Sequence, residues 1–256
     1  MKERRWEILW AHELGRAIDQ LAPILSESLP LAARDTRIHA ARKSIKKLRT
    51  TLRLFREAFP VGLTWEINRS LRHSARTLGL LRDQKILRKT LLEVARKAEI
   101  KPPKASPPLP FRHPIADAIR HLLAVQKGSG QLEWRNVDRA LMRRGLKRLD
   151  RRCKRAMIQA DRKRSDARLH AWRKRTKDLA YALHLIGAKT SPSEEKALRL
   201  EHLLGNDHDL ALLQKAPPAR SKKNALRSVA KAKRRNYQEK AFCLGHLLFS
   251  RNAKGS

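Results

Sequence analysis

Glycine is scarce in this chain, 10 residues among 256, and cysteine scarcer still, with two. Cys153 and Cys243 can build neither a disulfide framework nor a cysteine-rich zinc site. Aromatic residues supply only 5% of the sequence, too few for an extended base-stacking platform. No apolar run approaches the roughly 20 residues of a membrane span. The opening Met1-Lys2-Glu3-Arg4-Arg5-Trp6 lacks the apolar stretch of a secretory signal, so a soluble, cytoplasmic protein with no membrane partner is expected. There is no Gly-x-x-x-x-Gly-Lys phosphate loop and no Gly-x-Ser-x-Gly elbow. No carboxylate pair, and no Cys or Ser beside a base, suggests catalysis. The expectation is a protein that is not an enzyme, with no catalytic residue, no metal and no cofactor. The largest deficit is in negative charge: 24 Asp+Glu stand against 60 Lys+Arg, a net +36. Such a surface repels itself until something anionic neutralises it. Hydrophobic residues, at 41%, still suffice for a core, which argues against wholesale disorder.

Ala, Leu, Arg, Lys and Glu dominate, and nowhere do β-branched residues alternate with polar ones. The chain reads as all-α. Candidate helices run over 5–28, 32–58, 63–79, 83–99, 114–126, 135–162, 166–187, 193–204 and 219–249. Pro23 and Pro30 mark a bend or break near the end of the first, and Pro60 and Gly62 close the second. Half of the residues from Lys101 to Pro110 are proline, which cannot be helix. With the soft spot Lys127-Gly128-Ser129-Gly130, this divides the chain into halves, 1–128 (with the Pro-rich linker 101–110) and 129–256.

The halves repeat. At an offset of 131 residues, Arg37, His39, Ala40, Arg42, Lys43, Lys46, Leu48, Leu52 and Leu54 match Arg168, His170, Ala171, Arg173, Lys174, Lys177, Leu179, Leu183 and Leu185. Further on, Leu78-Gly79-Leu80-Leu81-Arg82-Asp83 parallels Leu204-Gly205-Asn206-Asp207-His208-Asp209. Core packing would preserve the leucines of such a repeat. It would not require the same order of His, Arg and Lys.

On a helical wheel, Ile38, Ala41, Ile45, Leu48, Leu52, Phe55 and Phe59 form one apolar stripe. His39, Arg42, Lys43, Lys46 and Arg53 share another face, with Arg49 and Arg56 at its border and Lys47 on the far flank. In the second half, Leu169, Trp172, Thr176, Leu179, Leu183 and Ile186 make the buried stripe. His170, Arg173, Lys174 and Lys177 make the cationic one, with Tyr181 in line. Like charges at i,i+3 and i,i+4 cost a helix a few tenths of a kcal/mol per pair. From 36 to 56 no acidic residue relieves them. A charge run is ordinarily a solvated face, and a helix histidine ordinarily a packed or surface one. The repetition, the missing counter-charges and the overall balance favour a polyanion site. Beside a polyanion a histidine gains basicity, so part of its charge arrives with the ligand.

Other clusters are less specific. Arg69, Arg72 and Arg76 lie at helical spacing. Arg143, Arg144, Lys147, Arg148, Arg151, Arg152, Lys154 and Arg155 surround their helix almost completely. Arg220, Lys222, Lys223, Arg227, Lys231, Lys233, Arg234 and Arg235 form a C-terminal basic face. Asn206-Asp207-His208-Asp209 reads as residues that open and cap a helix rather than as a metal cluster. Asp83 and Asp209 are placed to orient a neighbouring Arg.

The chain resembles the CHAD proteins (conserved histidine α-helical domain). The similarity rests on Arg37-x-His39-x-x-Arg42-Lys43-x-x-Lys46-x-Leu48-Arg49 and Leu78-Gly79-x-x-Arg82-Asp83. In the second half it rests on Leu169-His170-x-x-Arg173-Lys174-x-x-Lys177-Asp178-Leu179-x-Tyr181, on Leu204-Gly205-x-x-x-Asp209-Leu210 and on the basic stretch 140–156. It spans roughly 5–250 of the chain. It implies two four-helix bundles related by a pseudo-twofold axis, with basic faces meeting in a central channel, and binding of inorganic polyphosphate, in some members on polyphosphate granules. Carried over, one wall has His39, Arg42, Lys43, Lys46, Arg49 and Arg53, with Arg76 and Arg82 added from the stretch that follows. The other has His170, Arg173, Lys174, Lys177 and Tyr181. Ala180 stands where the first half has Arg49, and His184 where it has Arg53, which implies a weaker second wall. The expected partner is inorganic polyphosphate, with nucleic acid, or polyanions generally, as the alternative.

Overall fold

A computed structural model describes residues 4–26, 28–101, 109–187, 192–215 and 223–250. Its regular elements are all helical: α1 (Arg4–Ser26), α2 (Leu31–Leu54), α3 (Val61–Lys97), α4 (Arg112–Ser129), a 3₁₀ turn (Trp134–Asn136), α5 (Arg139–Arg162), α6 (Asp166–Leu185), α7 (Pro192–Lys215) and α8 (Lys223–Ser250). Residues 102–108, most of the Pro-rich linker, lie outside the described residues, as do Arg220 and Lys222.

The ends are set by local chemistry. Pro60 has no amide hydrogen to lose and precedes α3, its carbonyl accepting from Thr64 N at 3.0 Å. It therefore opens the third helix, while the second ends four residues short of the expected limit, at Leu54. Asp138 caps α5, its Oδ1 accepting from Leu141 N at 2.6 Å. That moves the start of α5 from the expected 135 to 139. Ser165 Oγ caps α6 by accepting from Arg168 N at 3.4 Å.

Two expected boundaries are absent. The helices expected over 63–79 and 83–99 are one continuous helix, α3. A single interior Gly costs only about 1 kcal/mol against Ala, too little to interrupt so long a helix. Likewise α7 does not stop at 204. It runs through Asn206-Asp207-His208-Asp209 to Lys215, so these residues open and cap nothing. Ala197, Leu200, Leu204 and Ala211 are buried at helical spacing, and buried Asp207 stands in the same stripe.

The helices gather into two compact units, Met1–Lys85 with Pro108–Lys147, and Ile86–Pro107 with Arg148–Ser256. In the first, α1 packs on α2 and α4. Trp6 meets Phe55 edge-on at 4.7 Å, and Trp134 lies 4.9 Å from Phe59 and 5.7 Å from Trp10. Buried Glu13 of α1 accepts from Ser44 Oγ at 2.6 Å and from Lys47 Nζ, both on α2. Burial raises its carboxyl pKa, but these bonds and the Lys47 charge outweigh it, so Glu13 titrates below its usual range. In the second unit, α7 packs on α6 and α8. Val94 and Ala95 share a core with Leu210, Leu213, Leu226 and Ala230, and Trp172 lies 4.9 Å from Phe242.

Helix α3 ends in a left-handed residue, Glu99 at φ 53°, with Ile100 N donating to Ala95 O at 3.0 Å. Helix α6 is followed by a left-handed glycine, Gly187 at φ 79°. A side chain in that conformation carries strain that glycine does not. Glu99→Gly is therefore expected to raise unfolding free energy by about 0.5–1 kcal/mol, read as a higher urea midpoint at unchanged slope.

Candidate functional site

The apolar stripes face inward as the periodicity requires. Ile38, Ala41, Ile45, Leu48, Leu52, Phe55 and Phe59 are buried, as are Leu169, Trp172, Thr176, Leu179 and Leu183. Ile186 is half-buried. Lys47, on the far flank of α2, turns to Glu13 instead of joining the cationic row.

In the first unit the row on α2 is joined by α3. His39 is held below its ordinary pKa of 6.5, first by desolvation and then by the charges of Arg82, Lys46, Lys43 and Arg42. Those four charges are all positive, and Arg82 comes from α3. Arg42 donates from a terminal guanidinium nitrogen to Ala75 O at 2.5 Å. A Cβ on Gly79 would lie 3.2 Å from that same nitrogen. The glycine of the Leu78-Gly79 pair is thus where the arginine of α2 lies against α3. Arg49 Nε donates to Asn68 Oδ1 at 3.3 Å, a second tie to α3. Lys43 is exposed, and Lys46 and Arg53 are half-buried. Arg69, Arg72 and Arg76 are exposed on α3, Arg69 lying over the Trp65 ring at 5.1 Å.

The second unit repeats this arrangement with other chemistry. Arg173 Nε lies 3.9 Å from where a Cβ on Gly205 would be. His170 Nδ1 is 3.2 Å from His208 Nδ1, with the rings 4.4 Å apart. His208 follows Gly205 by three residues, as Arg82 follows Gly79. In each unit the repeated histidine thus interacts with the residue at this position, an arginine in one and a second imidazole in the other. Only one proton fits between two Nδ1 atoms so placed. Lys177 is ion-paired with Glu201 at 2.8 Å, and His184 Nδ1 lies 3.0 Å from Oε1 of buried Glu194. Ala180 is buried, Tyr181 is half-buried and Lys174 is exposed. The second row therefore has a carboxylate, Glu201, against one of its lysines, and nothing in the α6 sequence itself announces it.

The basic clusters separate by role. On α5, Arg143, Arg144, Lys147, Arg151, Lys154 and Arg155 are exposed, while Leu149, Cys153, Met157 and Ala160 are buried. Burial pushes the Cys153 thiol up to about 12, which makes it inert. On α8, Arg234 is structural. It donates to Asp207 Oδ1 at 2.9 Å, to Asp166 Oδ1 at 2.6 Å and to Gln214 Oε1 at 2.8 Å. Desolvation works against its charge, but the two aspartates outweigh this and raise its pKa. Asp207 of α7 thus holds an arginine. Asp83 is exposed.

Two repeated rows, each on a helix whose arginine lies against a Leu-Gly pair, are the features by which a family can be tested. The family model of the CHAD domain matches twice, over residues 16–129 and over 108–216. The chain belongs to the CHAD family. Each match holds one His-x-x-Arg-Lys row and one Leu-Gly pair of this CHAD protein. No curated protein and no solved structure matches it. Among the described residues, no helix is long and apolar enough to cross a membrane.

Proposed function

We propose that this CHAD protein binds inorganic polyphosphate, without catalysis, through the cationic rows of α2 and α6. The family is known for polyphosphate binding. The observation that carries the reading to these residues is the gathering of Arg82, Lys46, Lys43 and Arg42 around His39, whose basicity burial lowers first and these four charges lower further. A folded chain holds such a cluster at a cost that a polyanion removes. Polyphosphate is a thin chain with a negative charge on every unit and no bases to read. Arg offers it forked hydrogen bonds and Lys a point charge. The resemblance further implies that both rows serve one channel, and that the protein acts in the cytoplasm, on polyphosphate granules where these form.

Competition tests the ligand class. Long-chain polyphosphate should displace labelled duplex DNA at far lower phosphate concentration than the reverse. Equal displacement per phosphate would replace this reading with general polyanion binding. Polyphosphate length should be unchanged after incubation with Mg²⁺, and steady shortening would make the protein an enzyme.

The His39 shift fixes the sign of a pH effect. Its folded pKa lies below 6.5, so without ligand the ring charge is disfavoured and stability falls as pH drops below that value. Bound phosphate reverses the field and raises the pKa. Binding then takes up protons, and affinity rises as pH falls through about 6.5. Titrating the His39 ring by NMR with and without long-chain polyphosphate should show an upward move. An unmoved ring would place the ligand elsewhere.

A further inference from the structure

His73 precedes Ala75 by two positions, so it projects from the side of α3 roughly opposite to the one that receives Arg42. There it meets α4. His73 Nε2 lies 2.5 Å from Asp117 Oδ2, and His121 Nε2 lies 3.9 Å from Asp117 Oδ1. The two imidazole rings are 3.9 Å apart. One donor atom from each of the three residues can be chosen so that all lie within 4.8 Å of one another. Ligand atoms around a tetrahedral ion with bonds of about 2.0–2.1 Å sit roughly 3.3 Å apart, so small rotamer changes bring this set into register. Asp117 and His121 are one turn apart on α4 and His73 comes from α3, so three rigid backbone positions aim at one point.

We propose that His73, Asp117 and His121 form a site for a divalent transition ion of the Zn²⁺ class, with a fourth position open to water. Two imidazoles and one carboxylate suit Zn²⁺, Co²⁺ or Ni²⁺, and are a poor match for Ca²⁺ or Mg²⁺, which take oxygen sets. Metal binding replaces the contact between His73 Nε2 and Asp117 Oδ2. Arg120 also contacts Asp117 Oδ1, at 3.2 Å, but its side chain is 71% exposed and can swing into solvent. Thr77 Oγ1, 3.5 Å from Oδ2, can orient the carboxylate. The site would make α3 and α4 a metal-bridged pair, independent of the cationic row.

The test uses metal-stripped, polyphosphate-free full-length protein. Co²⁺ should give a visible d–d band that saturates at one equivalent and is displaced by Zn²⁺. In imidazole ¹H–¹⁵N spectra, Zn²⁺ should shift His73 and His121 while leaving His113 in place. Asp117→Asn and His121→Gln should lose the band, and with it the Zn²⁺-dependent rise in Tm. Absence of a stoichiometric band in the wild type, or a band that survives both substitutions, overturns the proposal. The cluster is then a hydrogen-bonded clip between the two helices. The spectra of the wild type decide the matter even where a variant fails to fold.

Discussion

Changing Lys43, Lys46 and Lys174 together to Glu will cut polyphosphate affinity at least about 100-fold at ~0.1 M salt and leave a helical chain. The three sites follow from the structure. Arg42 and Arg173 lie against Gly79 and Gly205, and Lys177 is paired with Glu201. Reversing any of those would disturb packing as well as charge. Lys43 and Lys174 are exposed and Lys46 is half-buried, so their reversal acts at the surface of α2 and α6. Each change removes one phosphate contact and adds one repulsion, and about 1 kcal/mol apiece already reaches the stated loss. The dependence of log K on log salt should flatten by about 0.7 per lost contact, the single-strand law carried over to polyphosphate. Thermal stability should hold or rise, because like charges along α2 are relieved. The His39 pKa should climb toward 6.5, since two of the cations depressing it are gone. Full affinity in this variant would show that the ligand binds another face.

Gly145→Ala will destabilise the first unit by about 3 kcal/mol or more. A Cβ at this position of α5 would stand 2.0 Å from the carbonyl oxygen of Leu54 and 2.9 Å from its carbonyl carbon. Both are backbone atoms at the last residue of α2, so no rotamer change makes room. Either α5 lifts away or the end of α2 is pushed aside. Gly15, inside α1, is the control: nothing lies within 4 Å of its Cβ position. Gly15→Ala should stabilise the chain by up to about 1 kcal/mol through helix propensity alone. Urea unfolding of the two variants should move in opposite directions. A neutral Gly145→Ala would show that the α2–α5 contact is looser than described.

What the sequence disclosed and what it hid follow one physical division. Residues that repeat with a helical period were legible: the stripes through Ile45 and Trp172 and the rows through Lys46 and Lys174 sit on separate faces, as the wheel places them. Contacts between helices distant in sequence were not. Glu201 is unremarkable on α7 until Lys177 meets it, and His208 looks like part of a capping cluster until His170 is beside it. The repeat did hold one clue, because His208 occupies the register position of Arg82. Asp207 was misread for a different reason. Next to Asn206 it has the look of a helix start, but the apolar spacing from Ala197 to Ala211 runs past it and buries it. The helix expected over 63–79 stops at Gly79, whose missing side chain is instead where Arg42 lies.

A polyanion scavenges every accessible cation, and a protein built to attract one risks having its own ionic joints pulled apart. Arg234 escapes this. It is sequestered at 13% exposure, clamped by Asp207 and Asp166. Saturating ligand would have to open the α7–α8 seam before it could compete for that guanidinium. If the proposed rows carry the ligand, cargo loading and cohesion of the second unit draw on different arginines, and a full load leaves the scaffold joined.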